Sequence, residues 1–92
     1  DAGPALAALA DRLAARRRFR PTGAHPDTRV VDRLRGTLRA YQRPGERDRA
    51  LATWVSLGPR DVVRTVVLEG TRGDRELFDR LLDGVGFADL DG

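Results

Sequence analysis

Cysteine, lysine, asparagine, isoleucine and methionine are absent from the 92 residues, and histidine, tryptophan and tyrosine occur once each. Without cysteine the chain can form neither a disulfide framework nor a thiolate metal site, which suits a reducing cytoplasm. Because His25 is the only histidine, a metal centre would have to be completed by carboxylates alone. No apolar run approaches the roughly 18 residues that a membrane-spanning helix needs. The opening stretch DAGPALAAL also lacks the basic region of a signal peptide. The absence of an initiator methionine predicts a segment excised from a longer protein. With no lysine, all 17 basic side chains other than His25 are arginines, beside abundant Ala, Gly, Leu, Val and Asp. That bias is expected of a GC-rich bacterial genome, so the arginines reflect codon supply before they reflect phosphate recognition.

What is present suffices for one folded unit. The apolar share is 40%, enough for a single core in a chain of this length and too much for a disordered tail. The net charge of +3 conceals an asymmetry. Residues 1 to 46 hold ten Arg against five acids, giving +5, whereas residues 47 to 92 hold seven Arg against nine acids, giving −2.

Apolar spacing predicts helices. The first runs from Pro4 to Arg18, with Leu6, Leu9, Ala10 and Leu13 in one stripe and three terminal arginines favourably placed against the helix dipole. RPTGAHPD, residues 20 to 27, reads as a loop. A second helix is expected from Asp27 or Thr28 to Gln42, burying Val30, Val31, Leu34, Leu38 and Tyr41, with Gly36 weakening it by about 1 kcal/mol. A third is expected from Glu46 to Leu57 around Ala50, Leu51, Trp54 and Val55. The stretch VVRTVVL suits a strand by its β-branched content. The recurrence of Val62, Val63, Val66 and Val67 at i, i+1, i+4 and i+5 favours a fourth helix, starting near Pro59. Asp74 opens and Gly84 closes a fifth, carrying Leu77, Phe78, Leu81 and Leu82. Phe87 and Leu90 suggest a short final turn. The expected architecture is all-α, a compact bundle of five to six helices. Its core would comprise Leu9, Leu13, Val31, Leu34, Leu38, Leu51, Trp54, Val63, Val66, Val67, Phe78, Leu81 and Leu82.

Little in the sequence points to catalysis. Ser56 is flanked by no nucleophile-elbow glycines, and His25 lies far from it in a proline-flanked loop. The acids at 74, 76, 79 and 83 read as a solvated helix surface, and Gly84-Val85-Gly86 lacks the preceding strand and third glycine of a nucleotide loop. No enzyme activity, cofactor or metal is expected. Arginines cluster around residues 12 to 20 and 29 to 43. They would also suit phosphate contacts, so a small basic helical nucleic-acid-binding domain is the competing reading.

Residues 51 to 82, LATWVSLGPRDVVRTVVLEGTRGDRELFDRLL, resemble the last helices of caspase recruitment domains and other Death-fold modules. The resemblance implies a cofactor-free interaction module that binds its own kind head to tail and recruits an attached effector. In bacteria, similar helical domains accompany antiviral defence proteins. The charge asymmetry fits such a contact. A cationic surface of Arg16, Arg17, Arg18, Arg29 and Arg33 would meet an anionic one of Glu69, Asp74, Glu76, Asp79 and Asp83. The expected function is therefore a cytoplasmic, non-enzymatic adaptor domain. Its partner would be a protein, either a second copy or a related helical domain, with no membrane and no small-molecule substrate.

Overall fold

The computed structural model describes residues 1–88. It has a helix near each end. The first, α1 (Gly3–Ala15), starts where Asp1 Oδ1 accepts the Gly3 N–H at 3.0 Å and Pro4 occupies the first turn. It stops because Arg18 turns left-handed (φ 65°), so that Phe19 N–H reaches Ala14 O and Arg18 N–H reaches Ala15 O, both at 3.0 Å. That reversal delivers Phe19 into the core. The second, α2 (Arg75–Asp83), follows a single 3₁₀ turn at Arg72–Asp74, where Asp74 Oδ2 accepts the Thr71 N–H at 2.8 Å. Gly84 ends it. Both helices lie near where spacing places them, but α1 ends at Ala15 and leaves Arg16, Arg17 and Arg18, expected in its last turn, in the turn beyond it.

Between them the chain is β, and the expected all-α bundle is overturned. β1 (Arg20–Pro21), β2 (Asp27–Val31), β3 (Leu34–Arg43), β4 (Glu46–Leu57) and β5 (Val63–Thr71) form one five-stranded antiparallel sheet. β1 and β2 share one side of β3, and β4 and β5 follow on the other. The resemblance to Death-fold and caspase recruitment domains falls with the bundle, since those modules are helical. The second, third and fourth expected helices are the β2–β3 hairpin, β4, and β5 with its preceding 3₁₀ turn. Turn chemistry explains the pairing. Asp32 and Arg33 are both left-handed (φ 48° and 67°), as a two-residue hairpin requires, and Gly45 (φ 82°) reverses the chain after Pro44.

The valine doublets misled because each face of the sheet has its own cover. On one face, Tyr41, Leu51 and Val67 pack with Ala14 of α1 and with Phe19. On the other, Val31, Leu38, Trp54, Val66 and Leu68 pack with Leu82 of α2 and with Phe87. Val66 and Val67 therefore point opposite ways and are both covered. A sheet covered on both sides loses its apolar–polar alternation, and a doublet then imitates a helical stripe. The β-branched content was the truer signal. Of the expected core, Val31, Leu51, Trp54 and Leu82 are buried, while Val63 and Leu81 remain 40% and 47% exposed. Leu90 lies outside the described residues.

Trp54 organises the second face. Its indole lies over Gly36, where an added β-carbon would collide with the ring, and its Nε1–H donates to Arg29 O on β2 at 2.9 Å. Phe87 stacks on it with centroids 5.7 Å apart, held there by its N–H donating to Asp32 Oδ2 at 2.7 Å. Gly36 thus provides space for the indole within a strand. Gly36→Ala should lower stability by roughly 1–3 kcal/mol through overpacking, measured by urea unfolding, with a shift in Trp54 emission.

Candidate functional site

The topology brings several of the expected interaction residues together inside one chain. Arg29, on β2, donates through Nη1 to Asp79 Oδ1 at 3.0 Å and through Nη2 to Asp83 Oδ1 at 2.7 Å and Asp79 O at 3.2 Å. It thereby fastens α2 to the sheet. Glu69, on β5, lies among three arginines: Arg49 at 3.0 Å, Arg17 at 3.6 Å and Arg43 at 3.7 Å. Arg43 also donates to Arg17 O at 2.7 Å, pairs with Glu46 at 3.2 Å and stacks on Phe19 at 4.3 Å. The cationic and anionic halves of the sequence are therefore interleaved in space. Asp74 caps the turn before α2. Arg16 and Arg18 follow α1, Arg33 occupies the β2–β3 turn and Glu76 the first turn of α2, and all four are exposed.

The residues weighed for chemistry are also separated. Ser56 is buried and donates to Arg35 O at 2.7 Å. His25 lies in the loop between β1 and β2. Among the described residues, no group of three or more His, Asp or Glu could hold a metal ion, and no helix is long and apolar enough to cross a membrane.

Two features stand out that spacing did not reveal. The first is the outer edge of β5. Gly58 N–H donates to Val62 O at 2.9 Å, and the register then runs without a shift from Leu57↔Val63 to Arg49↔Thr71. Bonded and non-bonded pairs alternate in an antiparallel ladder. Arg64, Val66, Leu68 and Gly70 therefore bond to β4, and Val63, Thr65, Val67, Glu69 and Thr71 turn their N–H and C=O outward. Thr71 agrees, since its N–H goes to Asp74. The opposite edge is guarded, for β1 has two residues, β2 has five, and Pro21 and Pro26 interrupt them. β5 runs nine residues with neither proline nor bulge.

The second feature is a cleft of about 580 Å³ between α2, the sheet and the Thr22–Pro26 loop. Ala40, Ala50 and Ala52 contribute small side chains to its floor, on the face opposite Tyr41 and Leu51, while Leu38, Phe78 and Leu82 wall it. The signal available in the sequence was alanine at alternate positions 50 and 52, which reads equally well as a helix-forming pair.

Beneath α1, the buried Tyr41 hydroxyl donates to Asp11 Oδ1 at 2.8 Å. Burial pushes its pKa up from 10.0 to about 12; the Asp11 carboxylate reinforces the rise, and the Thr53 hydroxyl and the Arg39 charge oppose it. The neutral phenol is thus favoured in the folded chain. Its contribution is complete below pH 10 and is lost as the pH rises towards about 12. Unfolding midpoints measured across that range should fall steeply in the natural chain, and the fall should flatten in Tyr41→Phe.

No protein-family model, no curated protein and no solved structure matches the chain.

Proposed function

We propose that the chain is a non-enzymatic, cytoplasmic protein–protein interaction domain that pairs with a second copy of itself through the β5 edge. The carrying observation is the nine-residue β5 strand, regular and unguarded while the other edge is interrupted by prolines. Strand addition of this kind derives affinity from main-chain hydrogen bonds and selectivity from the side chains on alternate positions.

The strand is also complementary to itself. In an antiparallel pairing with a two-fold axis at Val67, the outward-facing positions of the two copies coincide, so Val67 meets Val67 and Thr65 meets Glu69. On the other face, Val66 meets Leu68 and Arg64 meets Gly70. No like charges are directly opposed, and apolar residues occupy the centre. Two five-stranded sheets would then join into one continuous sheet. This contact keeps the homotypic partner expected from the sequence and does not draw on Arg17, Arg29, Asp79 or Asp83, which pair within the chain. The separation of His25 from the buried, hydrogen-bonded Ser56 supports a binding role over a hydrolytic one.

Sedimentation velocity over a concentration series, with hydrogen exchange on the same samples, tests the proposal. A monomer–dimer equilibrium is expected, with slowed exchange at Thr65, Val67 and Glu69 as concentration rises. Thr65→Pro removes an outward N–H that β4 does not use, so dimerisation should weaken by more than about tenfold while the monomer's melting temperature stays within a few degrees. A monomer at millimolar concentration, or a dimer indifferent to Thr65→Pro, would rule the edge contact out.

A further inference from the structure

The cleft under α2 points to an activity separate from the β5 edge. We infer that it binds a small amphipathic carboxylate, an aliphatic body carrying one acid group. Its volume of about 580 Å³ falls within the roughly 300–1,000 Å³ typical of small-molecule sites. The depth has a structural cause. Ala40 lies opposite Ala52 and Gln42 opposite Ala50 in the β3–β4 register, and Ala50 lies opposite Gly70 on β5. Four small residues thus adjoin where a helix-covered sheet ordinarily presents large apolar ones. α2 cannot settle onto them freely, because Arg29 holds Asp79 and Asp83 and because Leu82 is packed against Trp54 and Val31. The space remains open, and Ala40 at its floor is exposed.

The mouth selects the charge. Arg72, in the turn before α2, and Arg75, its first residue, line it together with His25 from the loop. Among the described residues neither arginine has an ion-pair partner, unlike Arg29 and Arg49, which line the same cleft but are already matched to Asp79, Asp83 and Glu69. The acids at the cleft are Asp79, bound to Arg29, and Asp27. Arg39 also borders the cleft without an ion pair among the described residues, but its position opposite Thr53 sets its side chain on the face of Tyr41. Arg72 and Arg75 thus stand against one uncommitted carboxylate beside an apolar floor. A carboxylate can be gripped by either guanidinium through paired N–H donors, while its alkyl chain covers the alanines and the Phe78 ring.

Calorimetric titration with decanoate tests this, with decanol and decyltrimethylammonium as neutral and cationic controls of equal chain length. Decanoate should bind and the two controls should bind at least about tenfold more weakly. Arg72→Gln/Arg75→Gln should weaken decanoate binding by about tenfold, whereas Arg47→Gln, elsewhere on the exposed surface, should leave it unchanged. Ala40→Leu fills the floor at an exposed position and should abolish binding, with circular dichroism reporting that the fold is intact. The inference is overturned by an absence of decanoate binding, by equal binding of decanol, or by a folded Ala40→Leu that binds as before. None of these outcomes depends on whether the protein dimerises.

Discussion

The indole of Trp54 lying over Gly36 is the contact on which the rest of the architecture depends. It joins β4 to β3 by packing and to β2 by the hydrogen bond to Arg29 O. It also provides the surface on which Leu82 and Phe87 settle. A domain of 92 residues has little apolar area to bury. One large ring shared by three strands, the final helix and the tail does much of the work that a larger core would distribute. Trp54 serves one face only, so the opposite face needs its own cover, and α1 with Phe19 supplies it over Tyr41 and Leu51.

The abundant arginines are best understood around this two-sided sheet. Exposed ion pairs contribute at most about 1 kcal/mol each, so their number is no measure of stability. Geometry matters more. Arg29 reaches two carboxylates and a backbone carbonyl of α2 at once, and Glu69 gathers arginines from β3, from β4 and from the segment after α1. These networks tie elements distant in sequence. They also explain why a charge asymmetry along the chain does not become opposed faces on the molecule: antiparallel pairing sets residues of one half beside residues of the other.

The two proposed binding regions arise from the same layout. Helices cover the middle of each sheet face, leaving the rim. At one rim the sheet ends in a regular strand that, among the described residues, has no partner strand on its outer side. Elsewhere, small residues leave space beneath α2, which Arg29 and the packing of Leu82 keep from settling onto them, and the loop between β1 and β2 completes a wall. Neither region requires a reactive side chain, and both use backbone or charge complementarity on a rigid support.

The two terminal helices were legible from their sequence, because proline and aspartate near the first turn, a terminal glycine and a leucine stripe act through neighbours in the chain. So were the separation of Ser56 from His25 and a small set of core residues including Trp54; the loop expected at 20–27 is shorter, since Arg20–Pro21 form β1 and Asp27 opens β2. The sheet was not legible, because Val62, Val63, Val66 and Val67 obey a helical spacing and a strand pattern equally well once both faces are covered. The cleft and the β5 edge depend on register, which places Ala40 opposite Ala52 and directs Thr65 outward. By itself the sequence determined the two terminal helices and the breaks at Pro44-Gly45 and Gly58-Pro59; only the tertiary structure decided which strands pair, which charges meet and which apolar residues are covered, because those depend on contacts between residues far apart along the chain.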